Sequence, residues 1–249
     1  ISACLVGSEM CIRDSVWARH FDFITTPELA GIARFAEAGV RNAIYSPFGF
    51  NESLYRRQQL PYQYDVSFIG GYHPYRAWLT EELRRAGLTV GVFGSGWPAG
   101  KLSFDGMIKL FNTSKINLNI SNSAQWDPRY LASSVAALKW TLKTQKRREQ
   151  VKGRHFEIAG SGGFQLSYDV AGLADFFVLN EEIAIYRNSN DLLKKVRFYL
   201  ANESERSRIA EGGWQRAHAE HTARQRLSAL IGEVLARVAN SAVGAAGRL

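Results

Sequence analysis

Apolar and polar positions follow two rhythms along this chain. Short apolar or alternating runs predict strands at 21–24, 43–45, 66–69, 89–93, 116–120, 164–168 and 182–186. Between them, apolar residues return every three or four positions, the spacing of one helix face. Leu29, Ile32, Ala33 and Ala36 mark a first helix, with Thr26 as its cap, Pro27 at its first position and Gly39 as its stop. Leu79 and Leu83 point inward from a helix over 75–86, and a short helix covers 105–114. Leu131, Val135, Leu138 and Leu142 form an inward stripe along a basic helix over 130–148. Leu192, Val196, Tyr199 and Leu200 mark another helix over 191–201. Two further helices close the chain, the last with Leu227, Leu230, Ile231, Val234, Leu235 and Val238 on one face. Residues 48–64 have no period and read as a crossover or linker. Strands alternating with helices predict an α/β fold, a parallel sheet with helices on both faces.

Composition narrows the class. The 249 residues are 46% hydrophobic and 22% charged, as in ordinary globular proteins. No apolar run approaches the ~18 residues of a membrane span, and we expect a cytoplasmic protein. A net charge of +8 favours anionic partners: nucleic acid, anionic membrane or small phosphorylated ligands. Both cysteines, Cys4 and Cys11, lie in residues 1–15, a segment similar to the translation of sequencing-adapter DNA and read here as a non-native leader. Without it, thiolate metal sites and disulfides are excluded. His218 and His221 have no third ligand nearby in sequence, so no metal is expected.

The candidate chemistry lies in loops after predicted strands, where open α/β sheets bind ligands. Gly70-Gly71, Gly94-Ser95-Gly96 and Gly160 to Gly163 are three such glycine loops. Lys152 and Arg154 precede Glu157, an order suited to a phosphorylated sugar or nucleotide. Cations and backbone N–H groups hold phosphate, and a carboxylate accepts hydrogen bonds from sugar hydroxyls. Glu157 equally suits the start of a short helix, where the dipole favours an acid. Arg76 can reach a diphosphate or pair with a surface acid such as Glu81. Glu149 lies eight positions before Glu157, among Lys146, Arg147 and Arg148, and reads as a solvated helix end. Lys139 to Arg154 holds seven cations and one acid, which also suits nucleic acid or a membrane surface. Neither a Gly-x-Ser-x-Gly elbow nor a Walker lysine motif occurs.

Asp65-Val-Ser-Phe-Ile-Gly70 followed by Arg76 resembles the opening of the C-terminal half of GT-B glycosyltransferases, and the CgeB-like, spore-maturation group in particular. Phe93 to Trp97, Ser114 to Asn119, Lys152 to Glu157 and Gly162-Gly163-Phe164 fit the successive elements of that group. Glu182-Ile183, Tyr186, Asp191-Leu192, Tyr199-Leu200, Arg206, Gly213, Arg216 and Glu220-His221-Thr222 fit its closing elements, so the likeness runs from about 65 to 232. The resemblance implies a Rossmann-like donor-binding domain over 65–240, after a remnant of an N-terminal acceptor domain and linker over 16–64. It implies transfer of a sugar from a nucleotide-diphospho-sugar to an unknown acceptor. By the same resemblance, Glu157 holds the ribose hydroxyls, and Arg76, Lys152 and Arg154 are candidates for the diphosphate. Gly96 and Trp97 border the base, Gly70, Gly162 and Gly163 belong to the donor loops, and Glu182 lies on the sugar side. The group uses no metal or other cofactor, because cationic side chains neutralise the leaving diphosphate. A catalytic base would come from the N-terminal domain, so none is assigned. A non-catalytic sugar-nucleotide module and a basic interaction protein remain the alternatives.

Overall fold

A computed structural model describes residues 17–120, 123, 125–144 and 149–246, with side chains described to residue 240. The proposed leader and the cations Lys146, Arg147 and Arg148 lie outside the described residues. The chain divides into two compact units, Ile1–Gly49 with His221–Leu249, and Phe50–Glu220. The division leaves the last helix with the first unit rather than with the sheet that follows residue 65.

In the first unit, β1 (Ile24–Thr26) pairs in parallel with β2 (Ala43–Tyr45), and α1 (Leu29–Glu37) connects them. β1 begins where the expected strand ends, and Phe21 is exposed. Thr26 belongs to the strand, and its Oγ1 accepts from the Glu28 N–H. Ala18, Phe35, Val40 and Ala43 form a small core. α9 (Ala223–Ala246) closes the chain with Leu227, Ile231, Leu235 and Val238 exposed, among charges of both signs.

The second unit carries a five-stranded sheet of order β4-β3-β5-β6-β7, parallel throughout. Its strands are β3 (Tyr64–Ile69), β4 (Val90–Phe93), β5 (Ser114–Asn119), β6 (Gln165–Tyr168) and β7 (Ala184–Tyr186). The helices are α2 (Pro74–Arg85), α3 (Phe104–Thr113), α4 (Pro128–Ser133), α5 (Val135–Lys143), α6 (Gly153–Gly160), α7 (Ser189–Ala201) and α8 (Glu203–Glu220). The chain reverses direction across the sheet between β3 and β5, and the crevice at their carboxyl ends is where such sheets take ligands.

The two faces of the central strands differ. Val66, Phe68, Ile116, Leu118 and Leu166 share one apolar core with Leu79 and Leu83 of α2 and Leu192 and Val196 of α7. The alternate positions, Ser67, Asn117, Asn119, Gln165 and Ser167, are polar and buried. Each finds a partner, as burial demands. Ser67 donates to Asn117 Oδ1 at 3.0 Å, and Asn117 Nδ2 donates to the carbonyls of Phe111 and Phe164. Asn119 Nδ2 donates to Gln165 Oε1, and Gln165 Nε2 donates to the His155 carbonyl of α6. His155 Nε2 lies 3.0 Å from Ser167 Oγ. Hydrogen bonds therefore seat α6 on the sheet.

The expected helix over 130–148 is instead two short helices. Ser134 is extended (φ −170°, ψ 155°) and caps α5 by accepting from the Ala137 N–H at 3.1 Å. The inward stripe expected there is also corrected. Val135, Leu138 and Leu142 are exposed, and α5 buries Ala137 and Thr141.

Candidate functional site

Three connections converge at the carboxyl ends of β3, β4 and β5. The loops after β3 and β4 are knitted together by backbone bonds, from Gly70 N–H to the Phe93 carbonyl and from Tyr72 N–H to the Ser95 carbonyl. Gly94 has φ +139°, and a Cβ there would lie 2.1 Å from the Gly70 carbonyl oxygen. Only glycine fits so close an approach. Trp97 Nε1 donates to the same carbonyl at 2.8 Å, and its ring packs edge-on against Tyr72 and Phe68. Gly96 (φ +82°) makes the turn that aims Trp97. Gly70, Gly96 and Trp97 thus form one rim.

Arg76 is buried at the start of α2. Its Nε and Nη2 donate to the Ile120 carbonyl, Nη1 donates to the Gly71 carbonyl at 2.9 Å, and the guanidinium packs on Phe68. It clasps the ends of β3 and β5 while lining the cleft between them. Burial lowers its pKa to about 10, which leaves it charged at neutral pH.

The opposite wall is the first turn of α6. Lys152 occupies the cap position, and its N–H donates to His155 Nδ1 at 3.0 Å. Nδ1 also lies 3.0 Å from the Lys152 carbonyl, and Nε2 lies 3.0 Å from Ser167 Oγ. Burial lowers the His155 pKa to about 4, so the ring is neutral. Lys152 Nζ pairs with Glu149 at 2.9 Å, and Glu149 accepts from the Ser123 N–H at 2.7 Å. The Glu149 side chain is only 5% exposed, which corrects its reading as a solvated helix end.

Arg154 donates from Nη1 to the Ile69 carbonyl, while its buried Nε has no hydrogen-bond partner among the described residues. Burial lowers its pKa, against the favourable charge of Glu157. Glu157, one turn further along α6, has its pKa raised by burial, with Arg154 and the Tyr55 hydroxyl opposing that shift. Tyr55 is itself buried against Phe50 and Phe104. It comes from the segment read as a linker, where no periodicity marks it.

Six of the ten sequence-derived site residues, Gly70, Arg76, Gly96, Trp97, Lys152 and Arg154, therefore meet at this end of the sheet, with Glu157 beside Arg154. The other three lie at the opposite end. Gly162 (φ +72°) and Gly163 return N–H bonds to Ala159 and Ile158, ending α6 before β6 begins. A Cβ on Gly163 would lie 2.8 Å from Asn117 Nδ2, and one on Gly160 would lie 2.2 Å from the Phe50 ring. These glycines serve a helix stop and close packing. Glu182 precedes β7, accepts from the Val178 N–H and pairs with Arg216 of α8 at 3.0 Å. Its carbonyl would lie 2.4 Å from a Cβ on Gly213. Glu182 anchors α8 rather than facing the cleft.

A parallel α/β sheet with cations gathered at the strand ends is a frame suited to anionic ligands. Residues 76–232 match the family described as "Glycosyl transferase-like", and the chain belongs to it. Comparison with curated proteins gave no significant match. Among solved structures, the chain is similar to sucrose-phosphate synthase from Thermosynechococcus elongatus at 12% identity and TM-score 0.62, over 88% of this chain and 58% of that one. It is similar to Anabaena HepE, solved with UDP and glucose, at 12% identity and TM-score 0.63, over 90% of this chain and 66% of that one. The pneumococcal O-GlcNAc transferase GtfA, solved with UDP and GlcNAc, matches at 13% identity and TM-score 0.56, over 90% and 46%. These likenesses define a GT-B glycosyltransferase fold, of which the chain spans about half to two thirds of each relative's length.

Proposed function

We propose that this chain is the donor-binding half of a glycosyltransferase of the CgeB-like group, transferring a sugar from a nucleotide-diphospho-sugar to an acceptor held largely by a further domain. The buried Arg154 carries the reading. Its guanidinium stands at the first turn of α6 with one N–H unpartnered among the described residues, at the crevice where such sheets bind ligands. Burying a cation this way is costly unless an anion compensates it. A diphosphate there would receive the Arg154 guanidinium, the first N–H groups of α6 and Lys152. Glu157, on the same helix, would accept the ribose hydroxyls, and Gly96 and Trp97 would border the base. Arg76 would hold the cleft's shape and add field rather than a direct contact, because its guanidinium donates to the Ile120 and Gly71 carbonyls.

Departure of the nucleoside diphosphate places charge on the distal phosphate. Fixed cations and helix N–H groups stabilise that charge without a metal. We propose a metal-independent, cytoplasmic enzyme in which Arg154, Lys152 and the first N–H groups of α6 balance that charge. Calorimetry with UDP, GDP and ADP in the presence of EDTA tests the reading. At least one should bind, and Glu157→Gln should weaken it by ~1–3 kcal/mol, the scale of a charge-assisted hydrogen bond. Equal affinity in a folded Glu157→Gln protein would remove Glu157 from the site. HepE and GtfA were solved with UDP, which makes UDP the first nucleotide to try. A sugar-transfer assay on the complete protein separates an enzyme from a non-catalytic binding module.

A further inference from the structure

The helix α5 presents an unusual face. It buries only Ala137 and Thr141, while Val135 is 72% exposed, Leu142 59%, Trp140 50% and Leu138 44%. Val135, Leu138 and Leu142 recur at helical spacing and form one continuous apolar strip. Lys139 and Lys143 lie one position past Leu138 and Leu142, along the edge of that strip. Trp140 flanks the lysines on their other side. The chain from Val135 to Arg148 contains five cations and no acid. The exposed strip of α9 differs, because Glu233 lies among its residues.

Each component has a chemical consequence. Exposed aliphatic side chains favour a surface that removes them from water. Lysine stems can lie along such a strip while their ammonium groups reach outward. Tryptophan suits the boundary between water and hydrocarbon. Cations without acids select a negatively charged partner. Nucleic acid satisfies the charge but offers little to three aliphatic side chains. An anionic lipid surface satisfies both, and short basic helices with an apolar strip bind in its interfacial plane. No helix among the described residues is long and apolar enough to cross a membrane, so the contact would be peripheral.

We propose that the outward face of α5 docks the protein onto an anionic membrane surface. The helix belongs to the connection from β5 to α6, whose two ends supply Asn119 and Glu149 to the cleft wall. Docking there places the cleft beside the bilayer and favours an acceptor carried by, or presented at, a lipid surface.

Co-sedimentation with vesicles of phosphatidylcholine alone, and with about one third phosphatidylglycerol, tests the proposal directly. The protein should bind the mixed vesicles and leave the neutral ones. Leu138→Glu with Leu142→Glu should reduce the partition coefficient about tenfold or more, and Lys139→Glu should reduce it severalfold. All three positions are exposed, so circular dichroism and UDP titration should show an intact fold and an unaltered nucleotide site. Absent binding, or binding that survives the Leu138→Glu/Leu142→Glu change, overturns the proposal. So does salt-dependent binding to duplex DNA with no vesicle binding, or self-association abolished by the same two substitutions. A protein that binds vesicles but no nucleotide would refute the donor-site reading and leave this one standing.

Discussion

His155 shows how one side chain can set both a helix and its charge state. Its ring accepts from the Lys152 N–H and reaches Ser167, and burial lowers its pKa to about 4. In the unfolded chain the ordinary value is about 6.5, so the unfolded state binds the extra proton between those two values. Stability from this group is therefore complete above about pH 6.5 and falls as the pH drops towards 4. The expected loss between pH 7.5 and 4.5 is about 2–3 kcal/mol. Urea unfolding at both pH values should show His155→Gln losing less stability than the wild type over that interval, and an equal loss would place the pH dependence elsewhere. His155 lay inside the Lys152 to Glu157 stretch that the sequence singled out, yet residue type alone did not mark it as neutral and buried. Glu149 was hidden for the converse reason. Its neighbours in sequence are charged, whereas its partner Ser123 lies 26 residues away and is brought to it only by the fold. Tyr55 offered no signal at all, because a lone aromatic in an aperiodic segment has no preferred side.

At the scale of elements, periodicity located the helices better than it oriented them. β3 to β7 and α2, α3 and α7 lie within a few residues of their expected positions, since alternation and helical spacing both reflect burial against one sheet. The segment after Asp127 failed that logic. Its leucine stripe has the right spacing, but small residues decide which side meets the domain. Ala137 and Thr141 let α5 approach closely, and the Thr141 hydroxyl donates to the Gln125 carbonyl at 3.1 Å. Thr141→Leu should therefore destabilise the protein by about 1–3 kcal/mol, through overpacking and an orphaned carbonyl. Val135→Ser, in the expected core stripe, should change stability by no more than ~0.5 kcal/mol. Thermal unfolding of the two variants decides between the observed orientation and the stripe-inward one. The glycines of 160–163 misled in a similar way. A glycine after a strand and a glycine ending a helix look alike in sequence, and only the direction of α6 assigns them to the far end of the sheet.

For the whole molecule, the α/β class and the glycosyltransferase-like family were legible from the order of motifs, because each strand end and each helix start was signalled in turn. Which motifs share a surface was not, since that depends on the sheet order β4-β3-β5-β6-β7. The proposed site joins α6 to the ends of β3 and β4, so a nucleotide bound there should stabilise the folded unit as a whole. UDP at 100 times its dissociation constant should add about 2.7 kcal/mol to the unfolding free energy. A melting temperature unmoved by saturating UDP, GDP and ADP would argue against the donor site independently of calorimetry. The contrast between the sheet's two faces reaches further. Apolar contacts under α2 and α7 are non-directional, so that layer can be repacked with residues of similar volume. The layer under α6 is keyed by Ser67, Asn117, Gln165 and Ser167, whose bonds each require a particular atom in a particular place. An engineer seeking a more robust protein would thus have freedom on one side only. On the other side even a same-sized apolar replacement would unseat the helix that carries Arg154 and Glu157, and the catalogue of harmless substitutions should be lopsided across the sheet.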